Sequence, residues 1–166
     1  MTLLETVTVG SGGTTSLSIT DIPQTGKDLW IIISGRMGSS YVGQNYIRFN
    51  SNDYANNYGE IGISGGNSNS VGVAYDEVDS DLRTGYLPAA LATANHFGVQ
   101  TIYIPNYTGS EVALSIQTGS GDQTAYQYQS FTQGYYSNGP VTAFNFVQGT
   151  LQEHTTVSAY ITTDDS

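Results

Sequence analysis

Polar and apolar residues alternate one for one along much of this chain. Leu3, Glu5, Val7 and Val9 fall on one side of an extended backbone, and Leu4, Thr6 and Thr8 on the other. A period of two marks a strand whose two faces meet different surroundings. Gly10-Ser11-Gly12-Gly13 follows, a stretch that enters positive φ at little cost. Leu17 and Ile19 then alternate with Ser16 and Ser18, so the opening predicts a hairpin. Leu29-Trp30-Ile31-Ile32-Ile33 is an unbroken apolar run rich in β-branched residues. It predicts a central strand covered on both faces.

The same signal predicts further strands at 46–49, 58–63, 71–75, 82–87, 98–104, 112–117, 125–131, 141–147 and 156–162. The intervals hold Asn50-Ser51-Asn52-Asp53, Gly65-Gly66-Asn67-Ser68-Asn69, Gly119-Ser120-Gly121-Asp122 and Ser137-Asn138-Gly139-Pro140, side chains that favour tight or left-handed turns. Only 89–95, close behind Pro88, has the composition of a short helix. Strands recurring this regularly without a helical period imply an all-β fold. The expectation is an antiparallel two-sheet β-sandwich, jelly-roll-like, of about ten strands, with residues 1–166 forming a single domain.

Composition narrows the chemistry. The 166 residues include no cysteine, which removes disulfides, thiol nucleophiles and cysteine-based metal centres together. Charged residues make up 11% of the chain, against about 25% in an ordinary domain. The net charge is −10, and Lys27, Arg36, Arg48 and Arg83 are the only cationic side chains. A phosphate backbone or an anionic membrane would be repelled, so neither nucleic acid nor membrane is an expected partner. The start, Met1-Thr2-Leu3-Leu4-Glu5, lacks the basic and apolar segments of a signal peptide.

Candidate chemistry is sparse. Gly62-Ile63-Ser64-Gly65-Gly66 matches the letters of a nucleophile elbow, but Asn67-Ser68-Asn69-Ser70 cannot form the helix that such an elbow needs, and a turn is the better reading. His96 and His154 stand far apart, without ligand spacing. Asp76-Glu77-Val78-Asp79-Ser80-Asp81 could offer oxygen ligands to calcium, yet it lacks the EF-hand glycine, and it reads more simply as a solvated acidic loop. No catalytic residue, cofactor or metal site is assigned, and the chain is not expected to be an enzyme.

Tyrosine is the most suggestive feature, with 13 copies. Tyr126 and Tyr128 share one face of a predicted strand, and Tyr135 and Tyr136 follow shortly after. Tyrosine combines contact area with a hydroxyl at low entropic cost. These four form the candidate binding surface.

Several segments together resemble a family of small β-proteins of tailed bacteriophages, including marine and cyanobacterial ones. They are Ile22-Pro23-Gln24-Thr25 leading into 29–36, Tyr46-Ile47-Arg48-Phe49-Asn50-Ser51-Asn52-Asp53-Tyr54 with Asn57-Tyr58, and Ala92-Thr93-Ala94-Asn95 before Phe97-Gly98. The likeness covers most of the chain in order. It departs at Leu151-Gln152-Glu153-His154, where it leads one to expect a turn containing glycine. The resemblance implies a virion surface protein, a capsid decoration or head-appendage subunit that meets other virion proteins such as the capsid shell. It also implies a homo-oligomer, with a trimer favoured. A tail-fibre or receptor-binding module that recognises host-surface glycan is the other reading.

Overall fold

Alternation of this kind buries one side chain in two, and in the computed structural model it builds two antiparallel sheets packed face to face. The structure describes residues 1–38, 43–50, 57–66, 71–90, 92–120, 128–147 and 149–163, with the backbone alone for 43, 74–79 and 128. Twelve strands follow in order: β1 (Thr2–Thr8), β2 (Leu17–Ile19), β3 (Asp28–Gly35), β4 (Gly43–Phe49), β5 (Tyr58–Gly66), β6 (Val71–Asp79), β7 (Leu82–Leu87), β8 (Gly98–Pro105), β9 (Val112–Ser120), β10 (Tyr128–Tyr136), β11 (Phe144–Val147) and β12 (Thr156–Thr162). The larger sheet runs β1-β12-β3-β8-β9-β10-β5-β6 and the smaller β2-β11-β4-β7. The fold is an all-β, two-sheet sandwich of jelly-roll-like form.

The core lies between the sheets. Leu29, Ile31 and Ile33 of β3, Ile102 and Ile104 of β8, Leu114 and Ile116 of β9, and Val157 and Ala159 of β12 point inward from the larger sheet. Leu17, Ile19, Ile47, Phe49, Phe144 and Phe146 meet them from the smaller one. Each such side chain contributes roughly 1.5–3 kcal/mol when fully buried.

Strand β4 joins the two layers at both of its ends. At one end Asn45 donates to Gln100 Oε1 of the larger sheet (3.2 Å), and the Thr84 hydroxyl donates to the Asn45 carbonyl (3.0 Å). Thr118 of the larger sheet donates to the Thr84 carbonyl at 2.5 Å. Gly85 sits beside this bridge at φ 107°, where a Cβ would strike the Thr118 and Ser130 hydroxyls. At the other end Phe49 meets Tyr58 and Tyr136 of the larger sheet, with ring centroids 6.1 and 5.3 Å away, and those two tyrosines stack on each other at 5.0 Å. The Tyr58 hydroxyl accepts the Phe49 amide at 2.7 Å. Asn50, in the left-handed region at φ 54°, then ties the following turn: its Nδ2 donates to the Pro140 carbonyl (2.7 Å), and its Oδ1 accepts the Thr142 amide (2.8 Å).

The structure corrects several expectations. β1 and β2 do not form a hairpin: β1 pairs with β12 and β2 with β11, in different sheets. The glycine turn at 10–13 therefore carries the chain across the sandwich instead of reversing it within one sheet. β3 is central in its sheet, but only Leu29, Ile31 and Ile33 are buried; Trp30 and Ile32 on the other face are half-buried. Of the strand expected at 125–131, residues 125–127 lie outside the described residues and the rest falls in β10, which runs to Tyr136; the one expected at 141–147 begins at Phe144. Ser64, in the serine motif, lies mid-strand in β5 opposite Ser130 and Gly72, neither at an elbow nor in a turn. Residues 76–79 belong to β6 and not to a loop.

Among the described residues of 89–95 no helix forms either, and the segment is gathered around Arg36. Its buried guanidinium donates to the carbonyls of Ala90 (3.3 Å), Ala92 (3.0 Å), Thr93 (2.8 Å) and His96 (3.2 Å), and through Nε to Gln152 Oε1 (2.9 Å). The segment makes short turns, the Ala92 amide to the Ala89 carbonyl and the His96 amide to the Thr93 carbonyl, which also accepts from Arg36. At the C-terminal turn His154 adopts φ 70°, the left-handed region that favours glycine.

Replacing Arg36 by Met keeps the bulk and removes every donor, stranding these carbonyls. We expect a loss of about 2–3 kcal/mol in urea unfolding and faster amide exchange at His96. Lysine should restore only part of it, since a single ammonium cannot match the planar fork.

Candidate functional site

The outer face of the larger sheet carries the features that the core does not explain. Cross-strand register places Leu3, Tyr160, Trp30, Tyr103, Ser115, Gln133 and Ile61 in one row from β1 to β5. Trp30 and Tyr103 pack with ring centroids 4.5 Å apart and planes tilted by 36°. Beside them Asp28 accepts the Asn106 amide (3.2 Å) and the Thr162 hydroxyl (3.2 Å). Burial, and then the adjacent Asp28 carboxylate with the hydrogen bond it accepts, hold the Tyr103 phenol above its ordinary value of 10.0, while Lys27 pulls it down.

Further along the sheet the face becomes apolar. Phe131, Ile63 and Val73 are direct neighbours across β10, β5 and β6. Ile61, Val71 and Tyr135 extend the patch, and all six are exposed. Tyr135 lies over Gly59, where a Cβ would collide with its ring. Bare backbone at that one position is what lets the tyrosine lie flat on the sheet.

The four tyrosines of the predicted surface do not share a face. Tyr135 is 47% exposed, whereas Tyr136 is fully buried in the contact with Phe49 and Tyr58. Adjacent residues of a strand point to opposite sides, so including Tyr136 in the surface is corrected. Tyr126 lies outside the described residues, and of Tyr128 only the backbone is described. Sequence reading passed over Trp30, Tyr103, Ile61, Ile63, Val71 and Val73. The period-two signal in β5 and β6 contained the last four, as apolar residues with nothing opposite to bury them.

Several ionisable residues serve the structure. Arg48 forms a two-pronged ion pair with buried Asp81, Nη2 to Oδ2 at 3.0 Å. Buried Glu60 accepts the Arg83 amide at 2.7 Å and lies 3.4 Å from its Nε. His96 sits in the turn held by Arg36, and His154 is exposed beside Glu153. Among the described residues no group of three or more His, Asp or Glu side chains comes together in a way that could hold a metal ion.

No protein-family model matches the chain, and no curated protein matches it. Among solved structures it is similar to the galectin LEC-6 of Caenorhabditis elegans, at 10% identity and TM-score 0.37, over 93% of this chain and 96% of that one. It is also similar to Ail, the attachment invasion locus protein of Yersinia pestis, at 8% identity and TM-score 0.18, over 67% of this chain and 97% of that one. Likeness this distant names no function.

The raised Tyr103 value has a pH consequence. Above pH 10 the unfolded chain releases this proton while the folded one retains it, so stability present below 10 is lost as pH climbs past it. Unfolding measured at pH 8 and 10.5 should show this decline, and Tyr103→Phe should make it shallower.

Proposed function

We propose that this chain is a non-catalytic bacteriophage virion protein, displayed on the particle surface as a capsid decoration or head-appendage subunit. The observation that carries the reading is the exposed apolar patch on the outer sheet face, formed by Ile61, Ile63, Val71, Val73, Phe131 and Tyr135, a surface suited to seating on protein. Contiguous exposed apolar patches on a soluble domain mark interaction sites. The phage-like segments supply the kind of particle: 29–36 forms β3 and the start of the Arg36 turn, and 46–54 contains the end of β4 and Asn50. Three of the four cations lie in structural contacts, Arg36 with carbonyls and Arg48 and Arg83 with acids. The remaining surface is strongly acidic, which keeps assembled particles apart.

A second reading, recognition of host-surface glycan, draws support from one contact, the Trp30–Tyr103 pair beside Asp28. Flat aromatic faces next to a hydrogen-bonding carboxylate suit a sugar ring with its apolar face and hydroxyl rim.

Purified protein should bind isolated heads of the phage that encodes it with a saturable stoichiometry, and Trp30→Ala should bind equally well. Absence of binding to those heads contradicts the virion role. If heads bind normally but particles bearing Trp30→Ala no longer attach to host cells, the glycan reading takes precedence.

A further inference from the structure

β6 is the terminal strand of the eight-stranded sheet, and its valines stand at the margin of the apolar patch. Val71 and Val73 are 71% and 69% exposed, Ile61 and Ile63 50% and 52%, and Phe131 and Tyr135 40% and 47%. Both edges of the sheet carry a device that discourages pairing: β1 breaks its register between Leu3 and Glu5 and sets Glu5 out in solvent, and the β5–β6 pairing breaks its register between Tyr58 and Glu60.

We infer that this face binds a second copy of the chain about a two-fold axis, outer sheet face against outer sheet face. The inference rests on reading the patch as a protein-docking surface and names the partner it takes. Charge is the first argument. On β10 and β5 the outward positions are Gln129, Phe131, Gln133, Tyr135, Gly59, Ile61, Ile63 and Gly65, and on β6 those with described side chains are Val71 and Val73. None is charged, in a chain of net charge −10. A basic partner would find no acid among these described side chains to pair with, and an acidic one gains most where its own surface is equally neutral. The identical face of a second copy meets that condition.

Area is the second argument. Six side chains of this size at roughly half exposure present on the order of 100 Å² each, or roughly 600 Å² of apolar surface per copy. A standard interface removes about 800 Å² from each partner, of which about 65% is apolar in homodimers. The patch therefore supplies the apolar core of one ordinary dimer contact. A two-fold contact is closed, since each copy uses its patch once. It covers the two exposed valines of the terminal strand.

The full-length protein should sediment in 0.15 M salt at twice its 17.7 kDa chain mass. Ile63→Glu and Val73→Glu should each return it to the mass of one chain with the near-ultraviolet circular dichroism unchanged. Ile63→Ser, milder in its effect on folding, should weaken the dimer at least tenfold. Leu3→Glu, 52% exposed at the far edge of the same sheet, should leave the dimer intact. Lowering the salt to 0.01 M should favour the single chain, because repulsion between two acidic copies then reaches about 30 Å instead of about 8 Å. A wild-type mass of one chain at 100 μM, a mass of three or more chains, or a dimer indifferent to Ile63→Glu would overturn the inference. A single chain that still binds heads removes the self-pairing alone; a dimer that ignores heads removes the virion role alone.

Discussion

The contact among Phe49, Tyr58 and Tyr136 is the constraint from which the rest of the molecule follows. An eight-stranded and a four-stranded sheet share a largely aliphatic core, and aliphatic surfaces alone set no unique register between layers. Three interlocked rings, with the Phe49 amide bonded to the Tyr58 hydroxyl, hold β4 over β5 and β10 at one position. The polar bridge from Asn45 to Gln100 and from Thr84 to Thr118 holds the other end of β4. Fixed at two points, the smaller sheet cannot slide.

That clasp also determines what β10 shows to solvent. With Tyr136 directed into the core, Tyr135, Gln133 and Phe131 must face outward, and antiparallel pairing carries the same parity into Ile61 and Ile63 of β5 and Val73 of β6. The apolar face is thus the reverse side of the core contact. Arg36, Arg48 and Arg83 are committed to carbonyls and to acids, which leaves little positive charge for chemistry.

Much of the architecture was legible in the alternation. Leu82–Leu87 and Thr156–Thr162 are strands with the bounds expected of them, because period-two patterning is local and turn residues bracket it. Which strands pair is not local, so β1 and β2 looked like a hairpin although each finds its partner more than a hundred residues away. In place of the supposed helix, the carbonyls of Ala90, Ala92 and Thr93 bind Arg36, more than fifty residues upstream, a contact that local pattern does not reveal. For the candidate site, the two adjacent tyrosines were the instructive case. Gly134 interrupts the side-chain pattern just before them, so β10 seemed to stop at Phe131, and the parity that separates Tyr135 from Tyr136 went unread. Trp30 was hidden inside an apolar run that resembles a doubly covered strand; its neighbours Tyr103 and Tyr160 shield it within a single sheet.

Comparing Tyr135→Ser with Tyr136→Ser in equilibrium unfolding tests this parity most directly. The account predicts that Tyr136→Ser costs about 3–5 kcal/mol, as emptying a core aromatic site does, while Tyr135→Ser costs about 1 kcal/mol or less. Equal losses at the two positions, or a larger loss at Tyr135, would contradict it.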